Sequence, residues 1–374
     1  MMNCRSLLLL RSFTLTVLYW LLTGMYAFAQ PSQKPAGVLD SAALEAQKEY
    51  TSLPDALKEP SKVYRLNLNG RELTAVPTDI EKLTNLQVLN LWNNRLTVIA
   101  PALGALSNLQ VLDVSGNTEL NIVSAISTFT NLKKLHNLNL WNTQITALPP
   151  EIGQLASLKT LNVSSNLLTA LPAELAKLSS LHTLIISSNK LAALPAEVGK
   201  LSLLHTLIAW NNQLTALNAD IGKLTSLQTL ELGNNQLASL PAEIGNLSRL
   251  TMINLTSNKL TKLPPEIGKL STLQTLLLGG NRLTALPAEI ANLANLRTIA
   301  LSSNPQLNFS SALSTLAALK KLQTLNLAGN QLTTIPPEIA KLTTLEVLVL
   351  SGNKLSAEEQ DKVKKLLPNC EVKF

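Results

Sequence analysis

Residues 227–249 read LQTLELGNNQLASLPAEIGNLSR. The same pattern stands directly before them, as LHTLIAWNNQLTALNADIGKLTS from Leu204, and directly after them, as LTMINLTSNKLTKLPPEIGKLST from Leu250. The period is 23 residues. A fixed period of this length is the signature of a solenoid, in which each unit packs only against its neighbours. The repeat therefore decides the architecture of the chain.

Each unit has the same order of apolar and polar residues. Counted from its first leucine, apolar residues fall at positions 1, 4, 6, 11, 14, 18 and 21, with Asn at 9 and often Pro at 15. Positions 4 and 6 alternate with polar neighbours, which predicts a short strand with one buried face. The Asn follows the strand, where its side chain can satisfy backbone groups that a turn leaves unpaired. Pro at 15 with Glu at 17 predicts a short helical or 3₁₀ return.

The pattern occurs in thirteen units, which begin at residues 63, 86, 109, 135, 158, 181, 204, 227, 250, 273, 296, 322 and 345. Eleven of them carry Asn at position 9, and the departures are Arg71 and Thr143. These residues resemble the leucine-rich repeat family, in its LPxxIxxL subtype. The resemblance implies an α/β fold: a solenoid curved into a horseshoe, with a parallel β-sheet on the concave face and short helical or 3₁₀ returns on the convex face. It also implies that a macromolecule binds the concave face.

The chain divides into four predicted segments. Residues 1–29 have the features of a signal peptide, with Arg5 before an apolar stretch and a small-x-small cleavage site at residues 27–29. Residues 30–62 are predicted to form a leader and an N-terminal helical cap, residues 63–355 the thirteen repeats, and residues 356–374 a C-terminal helical cap. An uncleaved anchor is the alternative, but the apolar run is shorter than the roughly 20 residues that a spanning helix needs. We therefore expect a secreted or extracytoplasmic protein without a membrane span after cleavage and without an appended catalytic domain.

Two units, residues 109–134 and 296–321, are 26 residues long and depart from the pattern after the Asn. Their extra residues predict that the return becomes a longer helix. A special binding role for these two returns is the less favoured interpretation.

The formal charge is +7, and it becomes +5 without Arg5 and Arg11. Lysine recurs at position 20 and Glu or Asp at position 17, three residues apart on the predicted convex return. Such pairs are expected to form exposed ion pairs of a few tenths of a kcal/mol each. Because the basic residues are interleaved with acidic ones, and because the chain is predicted to be exported, we do not expect nucleic-acid binding.

The candidate site consists of positions whose side chains point out of the concave sheet. Position 7 holds every tryptophan outside the predicted signal peptide, and exposed Trp on a strand is typical of binding hot spots. Apolar residues stand at position 5 of two neighbouring units, and asparagines nearby could supply polar contacts. The predicted partner-binding residues are Trp92, Trp141, Ile185, Ile208, Trp210, Asn90, Asn139 and Asn162.

A protein partner is the first hypothesis for this patch. Scattered exposed apolar residues are also normal on proteins, and Trp with Asn is a combination that binds sugars, so a glycan remains the alternative. His136, His182 and His205 share position 2, but a metal site needs a third close ligand. No nucleophile with a positioned base and no Gly-rich phosphate loop occurs in the sequence. We therefore expect no catalytic residues, no metal site and no cofactor.

Overall fold

A computed structural model describes residues 39–374. The predicted signal peptide, residues 1–29, and the predicted leader after it lie outside the described residues. No helix in the described part of the chain is both long enough and apolar enough to cross a bilayer.

The repeats build one continuous parallel sheet. Each repeat supplies a three-residue strand from its positions 3–5, and each strand pairs with the next strand along the chain. The register aligns the same position of every repeat, so that Leu207, Leu230 and Ile253 are direct partners. These strands are β2 Arg65–Asn67, β3 Val88–Asn90, β4 Val111–Asp113, β5 Asn137–Asn139, β6 Thr160–Asn162, β7 Thr183–Ile185, β8 Thr206–Ile208, β9 Thr229–Glu231, β10 Met252–Asn254, β11 Thr275–Leu277, β12 Thr298–Ala300, β13 Thr324–Asn326 and β14 Val347–Val349.

The returns are 3₁₀ segments in the 23-residue units and α-helices in the two longer ones. The α-helices, α3 Ile122–Phe129 and α4 Phe309–Leu316, begin after Asn121 and Asn308, whose side chains accept the N–H groups of Ser124 and Ser311. The prediction of longer helices in these units is confirmed. The 3₁₀ segments are Thr78–Lys82, Pro101–Ala105, Pro150–Gln154, Ala173–Lys177, Ala196–Lys200, Ala219–Lys223, Ala242–Asn246, Pro265–Lys269, Ala288–Asn292 and Pro337–Lys341.

A ladder of buried asparagines at position 9 joins the sheet to the returns. The Asn235 amide group donates to the carbonyl of Leu232 at 2.9 Å and to that of Ala209, in the preceding repeat, at 3.0 Å. Its Oδ1 accepts the N–H of Leu214 at 3.1 Å. Each Asn therefore satisfies backbone groups of two consecutive repeats, as the sequence predicts.

The two residues that replace Asn at position 9 make other hydrogen bonds. Thr143 follows a 26-residue unit in which the Leu120 N–H donates to the Asn117 carbonyl. This N–H therefore has an acceptor within its own repeat. The Thr143 hydroxyl still donates to the carbonyl of Leu140 at 2.9 Å. Arg71 belongs to the first repeat, and its guanidinium reaches the carbonyl of Thr51 in the N-terminal segment at 2.9 Å.

Short elements cover both ends of the stack. On the N-terminal side these are α1 Ser41–Glu45, β1 Glu49–Tyr50, α2 Leu53–Ala56 and a 3₁₀ segment Pro60–Lys62; on the C-terminal side they are α5 Ala357–Leu366 and β15 Glu371–Lys373. Strands β1 and β15 pair with β2 and β14 and so extend the sheet at both ends. Because Leu53, Val363 and Leu367 are buried against the terminal repeats, these elements keep water from the ends of the common core.

The concave face as a candidate binding surface

Two tryptophans stand in solvent on the concave face. Trp92 is 42% exposed and Trp141 is 38% exposed. Both lean toward the following repeat: a Cβ on Gly116 would lie 3.3 Å from Trp92 Cδ1, and the indole N–H of Trp141 donates to Ser165 Oγ at 2.9 Å. The two rings stand two strands apart, which is about 10 Å at the usual strand spacing.

Trp210 lies three repeats beyond Trp141 and is half-buried. A chain of polar groups continues beside it, in which Asn234 Nδ2 donates to Asn211 Oδ1 at 2.6 Å and Asn211 Nδ2 donates to Ser188 Oγ at 3.1 Å. The serines at position 7 of the two repeats between Trp141 and Trp210 are buried. The three tryptophans therefore form separate contact points and not one continuous apolar patch.

The prediction that Ile185 and Ile208 form part of an exposed patch is wrong. They lie at position 5, but they are only 5% and 2% exposed. Position 5 of each strand pairs in register with position 5 of both neighbours, so Ile208 stands between Ile185 and Glu231. Neighbouring strands crowd together on the inside of a curved sheet, and these side chains cover one another. They stabilise the floor of the concave face and offer little surface to a partner.

The predicted polar contacts are also largely committed to the fold. Asn139 and Asn162 are 8% and 3% exposed, while Asn90 is half-buried. Asn90 Oδ1 accepts the backbone N–H of Trp92 at 2.8 Å, and Asn139 Oδ1 accepts that of Trp141 at 3.1 Å. These asparagines therefore hold the backbone that carries the tryptophans. Burial and these bonds contradict their assignment as freely available contacts.

Position 8 carries a constraint that the sequence analysis missed. In all thirteen repeats this residue has a positive φ, between 51° and 72°. The left-handed region is accessible to Gly and, less readily, to Asn among other residues. This explains the Gly or Asn at position 8 of nine of the thirteen repeats; the other four carry Ser. The limited residue choice at this position was visible in the sequence and could have revealed the turn.

The histidines form a row before the strands. The rings of His182 and His205 are stacked, with centroids 5.1 Å apart and parallel planes. Each Nδ1 lies close to a carbonyl oxygen, that of Ser180 at 2.6 Å and that of Leu203 at 2.7 Å. Burial, with a smaller effect of the Lys159 charge, lowers the pKa of His136 to about 4. Within residues 39–374, no group of three or more His, Cys, Asp or Glu side chains is placed to hold a metal ion.

Sequence comparisons identify the repeats. A family model described as "Leucine-rich repeat region" matches residues 124–213 and 242–370, together more than half of the chain. Models described as "Leucine Rich repeats (2 copies)" and "Leucine rich repeat" match residues 84–132 and 202–260. No curated protein matches the sequence.

Solved structures of similar shape include bacterial and animal proteins. A leucine-rich repeat protein of Leptospira interrogans is 35% identical, with a TM-score of 0.61 over 88% of this chain and 100% of that chain. An internalin of Listeria monocytogenes is 23% identical, with a TM-score of 0.60 over 84% of this chain and 88% of that chain. Toll of Drosophila, in its complex with Spatzle, is 22% identical, with a TM-score of 0.66 over 85% of this chain and 48% of that chain; these last two show the fold alone. The matching family models and the likeness to the Leptospira structure show that the chain belongs to the leucine-rich repeat family.

Proposed function

We propose that the protein is an exported, non-catalytic scaffold that binds a partner protein across its concave face. The observation that carries the proposal is the exposure of Trp92 and Trp141 on the concave sheet, 42% and 38% respectively. Leaving large aromatic surface in water is unfavourable, and Trp is enriched among the residues that dominate protein interfaces.

The local structure supports this role because both rings are held in place. Asn90 and Asn139 fix the backbone at the tryptophans, and Ser165 fixes the indole of Trp141. A side chain that is ordered before binding loses less conformational entropy on binding. Toll, a structural neighbour, was solved in complex with Spatzle, so the same fold serves as a binding scaffold elsewhere.

The test is capture of the partner from the extracytoplasmic fraction of the native cells by immobilised protein. We expect the double variant Trp92→Ala, Trp141→Ala to lose capture by at least about tenfold, since each Trp hot spot is worth about 2 kcal/mol or more. The matched control is Val123→Ala on α3, because Val123 is 61% exposed but belongs to a return segment. It should capture the partner as the unchanged protein does.

Circular dichroism and thermal unfolding would show that both variants remain folded. Full capture by the double variant, or an equal loss in the control, would contradict the proposal. Titration with a panel of glycans tests the alternative, because a sugar stacked on an indole changes tryptophan fluorescence. If a glycan changes the fluorescence of the unchanged protein but not that of the double variant, the ligand is a carbohydrate and the proposal of a protein partner is wrong.

A further inference from the structure

Charge is segregated over repeats 4 to 12 of the solenoid. Between residues 135 and 344 the chain has nine acidic side chains, and eight of them stand at position 17, on the convex returns. The remaining one, Glu231, is 7% exposed in the floor of the concave face. Lysine at position 20 of five of the same returns offsets much of that charge. The acidic residues are therefore kept away from both edges of the concave face.

The edge at which the strands end is basic. We call it the C-terminal rim and define it as positions 7–13 of repeats 4 to 13, residues 141 to 357 in all, which ends directly before Glu358. It carries five basic side chains and no acidic one. All five are exposed, and none forms an ion pair among residues 39–374: Lys190, Lys259, Lys262, Arg282 and Lys354.

The opposite edge of the concave face, at which the strands begin, also carries positive charge. Exposed or half-buried basic residues stand just before or at the start of the strands of repeats 4 to 12: Lys133, Lys134, Lys159, Arg249, Arg297, Lys320 and Lys321. Several of them bond to neutral groups, as in Lys321 Nζ to Asn295 Oδ1 at 2.7 Å and Lys134 Nζ to Asn108 Oδ1 at 2.8 Å. Such bonds leave the positive charge uncompensated. Over repeats 4 to 12 the concave face therefore lies between two basic rims, whereas repeats 1 to 3 also carry the acidic Glu72, Asp113 and Glu119.

We infer that the concave face recognises an acidic protein surface, a step that rests on the proposed function and specifies its partner. Two rims of one sign raise the local concentration of an oppositely charged partner and steer it toward the floor between them. Trp141 and Trp210, which lie on the floor of these repeats, then supply contacts that slow the dissociation of the partner.

The spacing of the charges favours a protein over a regular polyanion. A repeat protein can place a cation in consecutive units, as position 20 of the convex returns does at Lys177, Lys200 and Lys223. Position 10 of the C-terminal rim instead has its cations at Lys190, Lys259, Arg282 and Lys354, which are three, one and three repeats apart. Nucleic acids and acidic polysaccharides carry a charge at every monomer or every few monomers, whereas acidic side chains on a protein are irregularly placed.

The experiment measures binding of a fluorescent random copolymer of glutamate and tyrosine to the full chain. An oligothymidylate and a polygalacturonate of equal charge serve as competing polyanions. We expect the copolymer to bind most tightly and to lose affinity as salt rises from about 50 to about 500 mM, because exposed charges are screened. Lys259→Glu with Arg282→Glu should weaken copolymer binding by about tenfold or more.

The matched control is Lys177→Glu with Lys200→Glu, which makes the same change in net charge on the convex returns. It should weaken binding by less than about threefold, because at 0.15 M salt charges more than about 8 Å apart are largely screened. Equal losses in both variants, tighter binding of either competing polyanion, or no binding of the copolymer would overturn the inference. If the tryptophan double variant no longer binds the native partner while Lys259→Glu with Arg282→Glu still binds it, the proposed function is supported and the inference of an acidic partner is wrong.

Discussion

Replacing Asn235 by Ala tests the asparagine ladder in the middle of the stack. Asn235 is 8% exposed, and its amide group donates to the carbonyls of Ala209, Leu232 and Gly233. The carbonyl of Ala209 also accepts from Asn212, and that of Leu232 also accepts from Asn258. Both carbonyls therefore keep one partner in the variant.

The larger loss is at an N–H group. The backbone N–H of Leu214 donates to Asn235 Oδ1 at 3.1 Å, and Leu214 is fully buried. Leaving one buried N–H without an acceptor costs about 1–3 kcal/mol, and each weakened carbonyl about 0.5 kcal/mol. The free energy of unfolding should fall by about 2–4 kcal/mol in total.

The matched control is Asn353→Ala in the last repeat. Asn353 makes the same bonds, to the carbonyls of Leu327 and Leu350 and from the N–H of Leu332, and it also accepts the N–H of Asn330; it is half-buried, so water can replace it. We expect its cost to be less than half of that of Asn235→Ala. Urea unfolding is followed by tryptophan fluorescence and by circular dichroism, and coincident curves justify a single free energy. A cost below about 1 kcal/mol for Asn235→Ala, or equal costs at both sites, would refute the reasoning.

Three further changes follow from particular contacts. Burial raises the pKa of Glu231 above its usual 4.5, so its charge at neutral pH opposes folding. Glu231→Gln should raise the free energy of unfolding at pH 7, and this gain should shrink as the pH falls through the raised pKa toward 4.5 and be absent at lower pH. The pKa of His136 is lowered from 6.5 to about 4 in the folded protein. As the pH falls, His136 is therefore protonated in the unfolded chain before it is protonated in the folded one. The free energy of unfolding should therefore fall by about 1–2 kcal/mol as the pH is lowered from 6.5 to 4. This value is reduced because the His136 side chain is partly exposed. Urea titrations of His136→Gln should lack this part of the fall. In Gly222→Ala the new Cβ would collide with the Glu243 carbonyl oxygen and lie 2.7 Å from Glu243 Cβ, so a calorimetric scan should show a lower Tm, corresponding to about 1–3 kcal/mol.

The sequence predicts the sheet and the returns because each is specified within one period. Alternation at Leu230 and Leu232 defines a buried strand face, and the position-9 Asn defines the turn after it. The end strands β1 and β15 were not predicted, since neither belongs to a repeat. The predicted ion pairs between positions 17 and 20 form at Asp79–Lys82 and Asp220–Lys223. In both pairs the acidic residue is Asp, whose side chain is shorter than that of Glu.

The candidate site was harder to predict because alternation shows only the direction of a side chain. It does not show how densely the neighbours pack around it. Ile185 and Asn162 point to the concave side as expected, yet both are buried between the strands that flank them. Exposure at this face depends on residues in the next repeat, 23 positions away, which the periodic pattern of a single unit does not contain.

Comparison of consecutive repeats supplies that missing information. Each exposed tryptophan is followed, at position 8 of the next repeat, by a small residue: Gly116 after Trp92 and Ser165 after Trp141. After Trp210 the corresponding residue is the larger Asn234, and Trp210 is the one that is half-buried. Position 8 is Gly, Asn or Ser in every repeat, and the two smaller of these residues stand beside the two exposed rings. A tryptophan that we propose as a contact and the small residue beside it therefore lie in different repeats, so the proposed binding surface depends on pairs of consecutive repeats.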